Sequence, residues 1–245
     1  MRHPVTILHA SDLHLHWAYL EQSLWSLRAL AAAADRAGAE AILMAGDIFD
    51  TTEQPDEFVD HVAAVIRDVG VPVVMIPGNH DIRYSARERD ALGDLGLAIG
   101  PRHRLIAHAD GESVALAGGA IHLWGRGMPE HSPRNDPLHG ITAAGRDDAW
   151  SVAIAHGELT TGESSMRSSP IVLERHRDAL REVHYVALGH HDNSHVTRFE
   201  ETLVCYSGSA SPVLGTTEYA VVRFEEPTGA SVDVRLLTEV LPLPA

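Results

Sequence analysis

The chain has 245 residues and a formal net charge of −15, and all 19 of its basic residues are arginine. That balance disfavours tight unaided binding to a long polyanion, which rests on a basic patch that neutralises phosphates. Hydrophobic residues at 44% suffice for a sizeable core and aromatics at 5% leave it to aliphatic side chains; no apolar run approaches the about eighteen residues of a membrane span. The stretch after Met1 reaches Asp12 without the apolar segment of a signal peptide, and the single cysteine, Cys205, cannot form an internal disulfide. Together these features predict one domain over residues 1–245 of a cytoplasmic protein with no membrane partner.

In chain order, VTILHA (5–10) reads as a short strand, and Leu20, Leu24, Leu27, Ala31 and Ala34 follow at the three- and four-residue spacing of an amphipathic helix that Gly38 can end. AILMAG (41–46) is a second apolar run. Phe58, Val62, Val65, Ile66 and Val69 repeat the helical spacing, with Pro55 suited to the first turn and Gly70 to the end. VPVVMIP is a third strand. Strand, helix, strand, helix, strand signals right-handed crossovers in a buried parallel sheet. Short strands follow near 103–108, 112–117 and 119–124, then a long polar loop, GRGMPEHSPRNDPLHG (125–140). SVAIAHG (151–157), HYVALGH (184–190), TLVCYSG (202–208) and YAVVRF (219–224) are further strands, a helix is expected near 173–182, and LPLPA (241–245) reads as a frayed end.

The polar residues collect where the strands stop. Asp12-Leu13-His14 follows the first strand, Gly46-Asp47-Ile48-Phe49-Asp50 the second, and Gly78-Asn79-His80-Asp81 the third, while later strands end in His156-Gly157 and Gly189-His190-His191-Asp192. Ligands of open α/β sheets bind outside the carboxyl ends of the strands. One histidine at a strand end is ordinarily a hydrogen-bonded residue without chemistry, but five coincident sites on one edge are poorly explained that way. Carboxylate, imidazole and amide oxygen suit Mn²⁺, Fe or Zn²⁺, and a lone cysteine rules out a thiolate site. Asp12 and Asp47 would repel each other unless cations lay between them. A bridging carboxylate holds two metals about 3.5–4 Å apart, as in-line displacement at phosphorus requires, and Asp47, beside the small Gly46, is the natural bridge.

The ordered motifs D-x-H, G-D-x-x-D, G-N-H-D, a strand-ending H and G-H, from residue 5 to about 192, resemble the calcineurin-like metallophosphoesterase superfamily. The resemblance implies an α/β fold, a four-layer αββα sandwich of two mixed β-sheets flanked by helices. It also implies a phosphoesterase with two divalent metal ions, manganese before iron or zinc. Asp12 and His14 would bind the first metal, Asp47 would bridge, and Asn79, His156 and His190 would bind the second. His80 would protonate the leaving oxygen or steady the transition-state charge, with Asp81 orienting its ring, and a metal-bridging hydroxide would attack.

The family's last motif usually carries a second histidine where this chain has Asp192, which is expected to ligate the first metal with a harder donor, His191 or His195 being the substitutes. "ILHASDLHL", "GDIFD", "YVALGHHD" and "YSGSASP" are most similar to the nuclease subunit of SbcCD-type DNA repair complexes and shorter exonuclease-like relatives. The little chain after residue 225, together with the acidity, favours a small phosphodiester, a nucleotide or a nucleic-acid end as substrate over long DNA held by the surface. An ATPase partner is left open, as is a phosphomonoesterase or a non-catalytic scaffold with a modified metal site. Arg83, Arg126 and His131 are candidate substrate contacts, with Tyr84 beside Arg83. Asp50 reads as a supporting or turn residue, His16 and Trp17 as part of the loop entering the first helix, and Cys205 as a buried strand residue.

Overall fold

The computed structural model describes residues 1–143, 148–161 and 169–244. Its first half alternates as expected: β1 (Val5–Ala10), α1 (Leu20–Ala37), β2 (Ile42–Ala45), α2 (Asp56–Arg67), β3 (Val73–Ile76), α3 (Ala91–Ala98) and β4 (Arg104–Leu105). β5 (Glu112–Leu116), β6 (Ile121–Gly125), β7 (Trp150–His156), β8 (Glu158–Leu159), β9 (Pro170–Ile171), α4 (Arg177–Leu180), β10 (Tyr185–Gly189), β11 (His195–Phe199), β12 (Thr202–Tyr206), β13 (Glu218–Glu225) and β14 (Gly229–Leu236) follow. Gly38 ends α1 because it takes a left-handed φ of 62° and donates its N–H to Ala34 and Asp35. Among the described residues no helix is long and apolar enough to cross a membrane.

Two mixed six-stranded sheets face each other, in the orders β14-β13-β1-β2-β3-β4 and β11-β12-β10-β7-β6-β5. Both faces of the central strands are covered, so these strands carry no polar alternation. In β1, Val5 and Ile7 point between the sheets while Leu8 and Ala10 point to the helices; in β2, Leu43 and Ala45 face one way and Ile42 and Met44 the other. α1, α2 and α3 cover the outer face of the first sheet with Leu27, Leu30, Val62, Ile66 and Leu95. The outer face of the second sheet is covered more thinly, by Leu138, Ile141, Leu173 and Leu180.

Departures from the expected elements have local causes. The helix expected at 173–182 is a 3₁₀ turn, Leu173–His176, followed by the four residues of α4. α3 lacks a clear signal because Gly93 and Gly96 interrupt it, and it is started instead by Asp90, whose carboxylate accepts the Gly93 N–H at 3.0 Å. β11 and β14 are sheet edges whose residues are exposed or half-buried with one exception, Ala230, so neither needs an apolar run. The tail is pinned rather than frayed, since the Trp25 indole N–H donates to the Pro242 carbonyl at 2.7 Å; Ala245 lies outside the described residues.

Register brings the five motif strands to one edge. β1 runs parallel to β2 with Ala10 opposite Met44, β2 to β3 with Ala45 opposite Ile76, and β7 to β10 with His156 opposite Gly189. The sheets meet there, where the His156 ring Nδ1 lies 2.8 Å from the Ala45 carbonyl.

Candidate metal centre

Beyond the ends of β1 and β2 the chain turns sharply while the two loops stay paired. The N–H groups of Asp12, His14 and Leu15 donate to the carbonyls of Gly46, Asp47 and Ile48 at 3.0, 3.0 and 2.9 Å. Asp12, His14, Asp47 and His190 all have left-handed φ, at 51°, 46°, 50° and 118°. Such strain in non-glycine residues persists only where surrounding structure over-determines it. Here the determinants include a Ser209 hydroxyl donating to the Asp12 carbonyl at 2.6 Å. Small residues are required for the close approach: a Cβ on Gly46 would lie 2.4 Å from the His156 ring, and one on Gly78 would lie 2.1 Å from Asp47 Oδ1.

The side chains form two groups that share one residue. Asp12, Asp47 and His156 bring ligand-capable atoms within 4.8 Å of one another, and so do His14, Asp47 and His80. Asp47 Oδ2 lies 3.4 Å from His156 Nε2 and 3.9 Å from His14 Nε2. Asn79 Oδ1 is 3.1 Å from both His156 Nε2 and His190 Nδ1. Asp12, Asp47, His14, Asn79, His156 and His190, all expected as ligands, are therefore brought together.

Hydrogen bonds set which nitrogen each ring offers. A carbonyl only accepts, so His156 Nδ1 must carry its proton toward Ala45, and His80 Nδ1, 2.7 Å from the Asp50 carbonyl, must do the same. His14 Nδ1 lies 3.1 Å from the Asp50 carboxylate. Each ring keeps Nε2 for the centre, and for His14 and His156 this is the arrangement that orients metal-ligating histidines.

The electrostatics calls for positive charge. Asp12 and Asp47 are 1% and 3% exposed. Burial opposes ionisation of Asp47, yet the charge of His156 and its hydrogen bond, with His80 and His14, pull its pKa below the usual carboxylate range. Asp12 is raised, by burial first and by the Asp47 charge, against the pull of His156. His156 is raised to about 9 because Asp47 and Asp12 outweigh its burial, while burial and the neighbouring His156 lower His190 to about 4. Two buried carboxylates held together by imidazole and amide oxygen are the donor set of a divalent-cation site, so these residues fit the metals the motifs imply.

Other candidates are placed differently. Asp81 does not orient the His80 ring; its carboxylate accepts the N–H groups of Ile48 at 3.0 Å, Phe49 at 2.9 Å and Gly78 at 2.9 Å, locking the β3 turn to the Asp47 loop. The ring is held by the Asp50 carbonyl instead. Asp192 is exposed and belongs to neither donor group; its carbonyl accepts the Ser209 N–H at 2.9 Å. His191 and His195 are exposed as well, the His191 ring standing edge-on to Tyr206. Arg126 is built into the loop, donating to Asn135 Oδ1 at 3.1 Å and to the Ala109 and Asp136 carbonyls. His131 does reach the centre's rim, its ring centroid 5.9 Å from that of His190. Arg83 lies beyond the third motif and pairs with Asp90 at 3.6 Å. Asp50 supports the centre as its place at the end of G-D-x-x-D suggests, serving two rings at once, whereas the Ser209 bond to Asp12 had no reading in the sequence beyond the serines of "YSGSASP".

The DNA double-strand break repair protein Mre11 of Halobacterium salinarum is 26% identical over 236 residues, which cover 92% of this chain and 55% of that protein. The chain thus spans about half the length of this relative. Among solved structures, TT1561 of Thermus thermophilus superposes with a TM-score of 0.62 at 13% identity over 96% of this chain and all of that one. A structure described as a novel archaeal phosphodiesterase gives 0.51 at 12% identity over 94% and 100%. At such identities the two structures attest the fold alone. The model of the calcineurin-like phosphoesterases matches residues 5–196, from the first residue of β1 past the last strand-end motif, Gly189–Asp192, and the chain belongs to that family.

Proposed function

We propose that this chain is a phosphodiesterase that works with two divalent cations, manganese the best suited to the donor set, on a small phosphodiester, a nucleotide or a nucleic-acid end. The observation that carries this reading is the sharing of Asp47 by two donor groups. When bound there, two cations would acidify a water and offset the charge of the phosphodiester. Asp12, Asp47 and Asn79 would hold the cation positions from one sheet and His156 from the other. His80, the exposed imidazole of the set, has its Nδ1 proton committed to Asp50, so it would act as the imidazolium, with Nε2 handing its proton to the leaving oxygen and the ring left neutral with Nδ1–H still on the Asp50 carbonyl. Preference for a diester is supported by the engagement of Arg83 with Asp90 and of Arg126 with Asn135. A dianionic terminal phosphate would call for free guanidinium groups.

The test is hydrolysis of bis(p-nitrophenyl) phosphate beside p-nitrophenyl phosphate after Mn²⁺ loading, by the wild type and by His80→Ala, with metal content measured in both. Diester turnover that requires Mn²⁺ and falls by about 10²–10⁴-fold without His80 is expected. A protein that holds two cations and hydrolyses neither ester would sink the assignment.

A further inference from the structure

A cleft of about 540 Å³ opens beside the metal centre between the turn after β3, the start of α3 and the loop after β6. Its inner wall includes Pro77 and Asp81, from the turn that presents Asn79 and His80. That volume falls within the range of pockets that enclose a small organic ligand. Ile82, Met128 and Pro129 give it apolar walls, while Tyr84 stands at its rim 70% exposed. An aromatic side chain so exposed contributes little to the core, and the backbone that carries it is tied down, since the Tyr84 N–H donates to Glu88 Oε2 at 2.9 Å. The cleft also carries both signs of polar group. Arg83 lines it in an ion pair with Asp90, whose carboxylate is itself held by the Gly93 N–H. The Tyr84 phenol is raised in pKa, by partial burial first and then by the charge of Asp47.

We propose that this cleft is the subsite for the nucleobase of a nucleotide phosphodiester whose phosphate lies at the metal centre, with Tyr84 as the stacking face. A base has two flat apolar faces and an edge of donors and acceptors, matching apolar walls, an exposed aromatic ring and a guanidinium–carboxylate pair. Stacking is tolerant of sequence and needs no basic surface, so an acidic chain can take a nucleotide by its base. A polyol or simple alkyl ester would leave the ring without a stacking partner. The proposal rests on the phosphodiesterase reading above and names its substrate class.

The Mn²⁺-loaded full chain, as wild type and as Tyr84→Ala, would be given thymidine 5′-(p-nitrophenyl phosphate) and methyl p-nitrophenyl phosphate. In parallel, binding of thymidine 5′-monophosphate and methyl phosphate would be measured by calorimetry. The two members of each pair share the phosphate, so the ratio within a pair isolates the base. The wild type is expected to favour the nucleoside member about tenfold in kcat/KM and in Kd, and Tyr84→Ala to remove most of that preference. Equal handling of both members by the wild type, or a preference that survives Tyr84→Ala, would overturn the subsite while leaving the phosphodiesterase reading intact. A binding preference that depends on Tyr84 in a protein that hydrolyses neither ester would support the subsite and remove the phosphodiesterase reading instead.

Discussion

His156 is 2% exposed and bonded on both ring nitrogens, whereas the His80 side chain on the other flank of Asp47 is 41% exposed and held at Nδ1 by one backbone carbonyl. The same contrast runs through the whole centre. On the side of Asp12, Asn79, His156 and His190, strands of both sheets converge and each donor is fixed by another. On the side of His14 and His80, the loops after β1 and β3 supply the rings, Asp50 steadies both, and Asp192 stays outside. A preorganised, dry half would bind a cation without reordering its ligands; an open half would leave room for substrate and bind more weakly.

The sharpest break is Asp47→Asn, which removes the carboxylate common to both halves. Turnover is expected to fall by about 10³-fold or more, the several kcal/mol that bound cations supply, with metal lost from both positions in elemental analysis. Retention of one full equivalent would show that the halves are independent. Acidity separates the halves next. His156 must release its proton to ligate, and in the metal-free protein it holds that proton up to about pH 9. Rising pH therefore favours binding, and the affinity for the first cation should increase about tenfold per pH unit between about 7 and 9, with one proton released. A flat calorimetric profile would mean that the open half fills first.

Asp50→Ala acts on the open half alone. We expect activity and affinity for the second cation to drop about 10–100-fold, as with other outer partners of ligating histidines, while the first equivalent binds as before. Equal weakening of both equivalents would contradict the division. Gly78→Ala drives a Cβ into Asp47 and should cost about 1–3 kcal/mol, a Tm lowered by roughly 3–10 °C in a melting curve; an unchanged Tm would show that the β3 turn can yield. The smallest effect belongs to Asp192→Ala, expected to change turnover and metal content by less than about twofold, as for an exposed side chain away from the site. Loss of one cation in that variant would return Asp192 to the ligand set.

Much of the centre was legible because its information is local. A buried strand, a small residue and then a donor recurs at Gly46-Asp47, Gly78-Asn79 and Gly189-His190, and each part follows from sterics within a few residues. The central strands were legible for a similar reason, since burial on both faces leaves an unbroken apolar run. β11, β14 and α3 were not. Edge strands half in water and a glycine-interrupted helix carry weak periodicity, and their neighbours in space decide them. The expected pairing of Asp81 with His80 failed for a related cause: adjacent residues on a tight turn point apart, and the Asp81 carboxylate found three amides, two of them more than thirty residues earlier in the chain.

By itself the sequence determined the kinds of donor, their order and their place at strand ends, together with the family they mark. Only the tertiary structure decided which of them meet. Parallel register sets Asp12, Asp47 and Asn79 side by side, and the packing of one sheet on the other carries His156 and His190 to them. The same packing leaves Asp192 in solvent and hands Asp50 the orienting work. Those pairings join residues from about 30 to 180 positions apart, and contacts at that range follow from register and sheet stacking, which no local pattern of residues encodes.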